Sequence, residues 1–128
     1  MKTAILVVDD DKMVLGSLRL QLSRHYSGRH MLEFAEDAIE GLEVIEDLTN
    51  SGVVTLLVIS DWIMPGMKGD EFLMRVKNSY PSIETIMLTG QPSGEILDVN
   101  EIKDYSSAVL YKPWKEKELV ETIDKLVE

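Results

Sequence analysis

The chain contains no cysteine, which excludes a disulfide framework, thiolate-held zinc and thiol catalysis, and fits a reducing, cytoplasmic setting. Basic side chains are scarce as well. Thirteen Lys and Arg stand against 23 Asp and Glu, for a formal net charge of −10. That balance repels phosphate backbones and anionic membranes unless the cations gather on one face. They are scattered along the sequence, so neither direct nucleic-acid binding nor membrane attachment is expected. Long apolar runs are also missing. The first run covers residues 4–8 before three aspartates intervene, too short for a signal-peptide core, and nothing approaches a membrane span. What is present is 128 residues, 45% of them hydrophobic, enough to build one core without help from a metal. A single domain over residues 1–128 is expected.

Periodicity sets the expected order of elements. Residues 4–8 form a continuous apolar run rich in β-branched side chains, the pattern of a strand buried on both faces. Asp10 or Asp11 can cap a helix over about residues 12–25, in which Val14, Leu18 and Leu22 repeat every four positions. The alternation then recurs: strand 30–35, helix 38–48, strand 54–60, helix 71–78, strand 83–88, a weak fourth helix around 96–105, strand 108–111 and a closing helix over 115–127. Apolar strands alternating with amphipathic helices imply a parallel sheet covered on both faces, because crossovers are right-handed. In such sheets the ligand site lies beyond the carboxyl ends of the strands.

Those ends are chemically loaded. The first strand leads into Asp9, Asp10 and Asp11, the third into Asp61, the fourth into Thr89 and the fifth into Lys112. Helix capping explains one aspartate of the first group but not the convergence of Asp61 on the same edge. Several carboxylates within a few ångströms repel one another, and a hard divalent cation relieves them. Magnesium suits an open, acidic, sulfur-free cleft. A carboxylate beside such a cation can also act as a nucleophile toward phosphorus, with a lysine and a hydroxyl neutralising the phosphoryl oxygens. Lys112 and Thr89 are available for that role.

Four ordered segments, Val8-Asp9-Asp10, Asp61-Trp62-Ile63-Met64-Pro65-Gly66, Met87-Leu88-Thr89-Gly90 and Tyr111-Lys112-Pro113-Trp114, closely resemble the response-regulator receiver domain of two-component signalling. The resemblance implies an α/β, (βα)5 doubly wound domain with a flavodoxin-like strand order 2-1-3-4-5. It implies that Asp61 is the phosphoacceptor, served by a sensor histidine kinase or a histidine phosphotransfer protein. Asp10, Asp61 and the backbone carbonyl of Ile63 would hold Mg2+, with Asp9 acting through water. Thr89 and Lys112 would meet the phosphoryl oxygens, and the Lys112-Pro113 bond would be cis. Gly69 matches the family's glycine before the third helix and is read as a position needing φ > 0. Ile63 and Gln91 would border the approach of hydrolytic water, and neither suits general-base work. The domain would catalyse only its own phosphorylation and dephosphorylation. Its signal would leave through the fourth helix, fifth strand and fifth helix toward an output domain or partner.

Two departures and one rival reading accompany this. The position three residues before the lysine, aromatic in many receivers, is Val109, while Tyr111 shares its face by strand alternation. The Leu88-Thr89-Gly90-Gln91 and Tyr111-Lys112-Pro113-Trp114 segments resemble receivers of multidomain signalling proteins. Asp9-x-Asp11 after an apolar strand also fits a haloacid-dehalogenase-like phosphatase with Asp9 as nucleophile, but that reading leaves Asp61 unexplained. His25 and His30 are read as solvated, Met64 and Met67 with Trp62 as packing or an adaptable binding surface, and Glu40, Glu43, Glu46 and Asp47 as a solvated helix side.

Overall fold

A computed structural model describes residues 1–90 and 106–127. In chain order it contains β1 (Thr3–Val8), α1 (Lys12–Tyr26), β2 (Met31–Ala35), α2 (Ala38–Asn50), β3 (Val54–Asp61), α3 (Gly69–Ser79), β4 (Glu84–Thr89), β5 (Ala108–Tyr111) and α4 (Glu116–Val127). The strands form one parallel sheet in the order β2-β1-β3-β4-β5. That is the flavodoxin-like arrangement expected from the motifs. The helix expected around residues 96–105 lies outside the described residues, and α4 is the expected closing helix.

The two central strands show why apolar runs, rather than alternation, marked them. In β1, Leu6 and Val8 face a core shared with α2 and α3, while Ile5 and Val7 face one shared with α1 and α4. In β3, Val58 joins the first core and Leu57 and Ile59 the second. Neither strand has a solvent face to fill with polar residues. Each such aliphatic side chain, wholly removed from water, contributes about 1.5–3 kcal/mol of transfer free energy.

Local chemistry fixes the helix starts. Of the two candidate caps for α1, Asp11 is the one used: its carboxylate accepts the Met13 N–H at 2.9 Å. At α2 the Asp37 side chain accepts from Glu40 N, while Glu40 reaches back to the Glu36 N–H, each at 2.8 Å. This exchange resembles a capping box and holds the β2–α2 turn. The α3 helix starts at Gly69, two residues before the expected start, with Lys68 at its N-cap providing no side-chain hydrogen bond. No helix among the described residues is long and apolar enough to cross a membrane.

Candidate functional site

Parallel packing sends the chain out of β1, β3, β4 and β5 at one edge, and the polar residues follow from where each strand stops. Asp9 follows β1 and is almost wholly buried, Asp61 ends β3 at 9% exposure, and Thr89 ends β4, also buried. Lys112 follows β5, its backbone N–H held by the Thr89 carbonyl at 2.7 Å. The lysine ammonium donates to Asp9 Oδ2 and to Asp61 Oδ1, both at 3.1 Å. Asp9 Oδ1 accepts the Asp11 N–H at 2.9 Å, which locks the turn into α1. Asp10 stands exposed at the mouth, and one carboxylate oxygen from each of Asp9, Asp10 and Asp61 lies within 4.8 Å of the others. Three carboxylates against one ammonium leave an excess of negative charge that a cation can neutralise.

Electrostatics follow from this crowding. Burial raises the pKa of Asp9, offset in part by the Asp11 N–H and by Lys112. Burial also raises Asp61, and the neighbouring Asp9 charge adds to it, while Lys112 opposes both. For Lys112, burial disfavours the charge, yet the two carboxylates outweigh burial and hold the ammonium above its ordinary value. Burial and mutual repulsion thus disfavour charge on the two carboxylates, and the Lys112 ammonium between them opposes this.

The loop after Asp61 is set by a close approach. Gly69 N donates to Trp62 O at 2.8 Å, and a Cβ on Gly69 would fall 2.1 Å from the Asp61 carbonyl oxygen and 2.8 Å from Trp62 Cα. The expectation of a positive φ at Gly69 is therefore corrected. The left-handed residue of this loop is Gly66, at φ 85°, whereas Gly69 is required because backbone passes where a side chain would be. Trp62, Met64 and Met67 are buried in the core on the α2–α3 side, so they pack rather than present a binding surface. Ile63 is half exposed beside Asp61.

Of the residues expected at the site, Asp9, Asp10, Asp61 and Lys112 converge, and Thr89 is joined to Lys112 through the backbone. The Lys112-Pro113 bond is cis. Gln91 lies outside the described residues. Val109 packs against the α2–α3 core, and Tyr111, paired in register with Thr89, is half exposed. The two histidines are more engaged than a solvated reading implied: His25 meets Glu116 at 2.8 Å and His30 meets the Thr3 hydroxyl at 2.7 Å. Glu40, Glu43, Glu46 and Asp47 are exposed, as expected. Sequence reasoning passed over Gln21, which accepts the Trp114 indole N–H at 2.7 Å. Its place on the α1 face with Val14 and Ser17 was the only available signal.

Comparison with known proteins converges on one family. A family model described as the response regulator receiver domain matches residues 5–124. The sensor kinase CckA of Brucella abortus is 30% identical over 126 residues, covering 98% of this chain and 12% of the relative. The hydrogenase transcriptional regulatory protein HoxA of Cupriavidus necator is 29% identical over 129 residues, with 24% of its length covered. This chain thus spans under a quarter of either protein. Among solved structures, the signal receiver domain of an HD domain-containing protein from Pseudomonas fluorescens aligns with TM-score 0.79 at 32% identity, covering 98% of this chain and 94% of that one. The chemotaxis protein CheY4 of Vibrio cholerae aligns with TM-score 0.81 at 26% identity, covering 98% and 99%.

Proposed function

Because this chain belongs to the response regulator receiver domain family, which supports a phosphorylation-dependent signalling switch, we propose that Asp61 is its phosphoacceptor and that residues 1–128 act as one receiver domain. An oxygen of the Asp61 carboxylate attacks the phosphorus of a phosphohistidine on a sensor histidine kinase or phosphotransfer protein. The P–N bond breaks as the O–P bond forms, and the leaving imidazole recovers its electron pair and takes a proton from solvent. The observation that carries this reading is the Lys112 ammonium shared between Asp9 and Asp61, with Asp10 in reach. That ammonium can follow the phosphoryl oxygens as negative charge moves onto them, and Thr89, at the neighbouring strand end, would supply a hydroxyl donor.

The donor set is all oxygen and carries excess negative charge, which fits Mg2+. Asp10, Asp61 and the Ile63 carbonyl would hold it directly and Asp9 through water; the bound ion supplies charge neutralisation on the phosphoryl group. In this reading the domain turns over no separate substrate, catalysing only its own phosphorylation and dephosphorylation in the cytoplasm. Phosphorylation changes the surface offered to an output domain by β5, α4 and the segment 96–105, the last outside the described residues. The rival phosphatase reading gives Asp61 no role, although Asp61 ends β3 within hydrogen-bond distance of Lys112.

The test is intact-mass measurement after incubation with acetyl phosphate and magnesium, followed by peptide mapping. One phosphoryl group on Asp61 is expected, and Asp61→Asn should gain none while keeping its fold. An undiminished adduct on Asp61→Asn would remove the assignment, and an adduct lost only in Asp9→Asn would restore the phosphatase.

A further inference from the structure

Lys112 reaches its two carboxylates from a short segment, residues 112–115, that lies between the end of β5 and the start of α4. A lysine stem is long and has several rotatable bonds, so the position of its ammonium depends on how firmly the backbone beneath is held. Toward β4 that backbone is fixed by Lys112 N and Thr89 O. On the other side the segment leans on α1. Val14 and Ser17 line a shallow recess with Lys112, Pro113 and Trp114, and Val14 and Trp114 pack on the same core. Gln21 continues that helix face one turn on, at the i, i+3, i+7 spacing. Its amide oxygen accepts the Trp114 indole N–H at 2.7 Å.

We propose that Gln21 is a positioning residue: by holding the Trp114 indole it fixes the segment from which Lys112 reaches Asp9 and Asp61. The inference rests on the proposed phosphoacceptor role of Asp61. Gln21 touches neither the carboxylates nor an incoming phosphoryl group; it acts through Trp114 on where Lys112 stands. The polar ties from α1 to α4 itself begin just past that segment, at Glu116, and run on to Asp124. Arg24 and His25 bind Glu116, and the Tyr26 hydroxyl donates to Asp124 at 2.8 Å near the far end of α4. Tyr26→Phe therefore removes an α1–α4 hydrogen bond without touching the Lys112 segment, which makes it the control for simple loss of stability.

The experiment compares phosphorylation rates by acetyl phosphate and magnesium, alongside thermal midpoints, for the parent, Gln21→Leu, Gln21→Glu, Trp114→Phe, the Gln21→Leu/Trp114→Phe double variant and Tyr26→Phe. Gln21→Leu should label about fivefold more slowly, the equivalent of about 1 kcal/mol in the barrier, the usual worth of one hydrogen bond. Gln21→Glu keeps an oxygen acceptor and should retain the parental rate. Trp114→Phe should reproduce the loss, and the double variant should be no slower than the slower single one, because both remove the same contact. Tyr26→Phe should lower the thermal midpoint and leave the rate alone. Parental labelling by both Gln21→Leu and Trp114→Phe would overturn the inference alone, as would a slowing by Tyr26→Phe equal to theirs. A parent that gains no phosphoryl group on Asp61 would instead remove the proposed function, and this inference with it.

Discussion

Among the carboxylate–cation pairs of the described residues, those at Glu116 and at Lys112 behave in opposite ways. On the surface, Glu116 receives Arg24 and His25 from the neighbouring helix, and their hydrogen bonds, Arg24 first, pull its pKa down to about 2. In the cleft, Asp9 and Asp61 share the Lys112 ammonium at equally good distances, yet both carboxyls are pushed up. The cations are comparable; burial and stoichiometry differ. One guanidinium and one imidazole attend a single carboxylate at Glu116, while one ammonium serves a group of three in the cleft. A surface ion pair settles into solvent and contributes little, whereas the buried group remains short of positive charge and ready to take more.

Removing the shared cation should break the comparison most sharply. Lys112→Met leaves Asp9 and Asp61 facing each other with no counter-charge, and should lower folding free energy by roughly 3–5 kcal/mol at neutral pH without divalent cations. Urea unfolding measures it. An unchanged midpoint would mean that the cleft carboxylates are solvated as well as Glu116 is.

A smaller loss is expected from Gly69→Ala, because the added carbon would collide with the backbone that carries Asp61. Overpacking of this kind costs about 1–3 kcal/mol, and the displaced loop should also slow labelling by acetyl phosphate. If equilibrium unfolding and labelling both matched the parent, the close approach would not constrain the site.

Ile63, two residues past Asp61, is half exposed, and its side chain cannot orient water. In Ile63→Asn the new amide can, so the phosphoryl group should be lost faster, by roughly severalfold. Following decay by intact mass after removing acetyl phosphate decides this; equal lifetimes would show that water positioning at residue 63 is not limiting.

The smallest effect belongs to the surface. Glu116→Gln should destabilise only slightly, and less in high salt. The pH dependence has a defined sign. The native pKa of Glu116 lies at about 2 against an ordinary 4.5, so its contribution is fully present above about pH 4.5 and fades as pH falls toward 2. Parent and variant midpoints should therefore differ above that window and converge below it. A difference that grew on acidification would contradict the pairing.

How much of this was legible from sequence depends on the distance over which the information acts. The apolar runs of β1 and β3 and the stripe of Leu119 and Ile123 in α4 report burial locally, and these elements stand within a residue or so of expectation. The α3 start was misplaced because no side chain caps it; a backbone contact from Gly69 to Trp62, formed only in the folded loop, fixes it instead. The same contact explains why the need for glycine was seen and its cause misread. Asp9, Asp10, Asp61 and Lys112 were legible because strand ends in a parallel sheet share one edge. The tie from α1 to the segment before α4 was not, since Gln21 and Trp114 are 93 positions apart and nothing in either local pattern names the other.

The sheet order also bears on the sequence in which contacts become possible as the chain is made. β1 pairs only with β2 and β3, so residues 3–61 already contain every strand partner that the centre of the sheet needs on that side. Asp9 and Asp61 can thus meet early. Their counter-ion is 103 positions beyond Asp9 and 51 beyond Asp61. A nascent chain that has formed β1, β2 and β3 holds these two carboxylates without the Lys112 ammonium until the chain beyond the last strand is made.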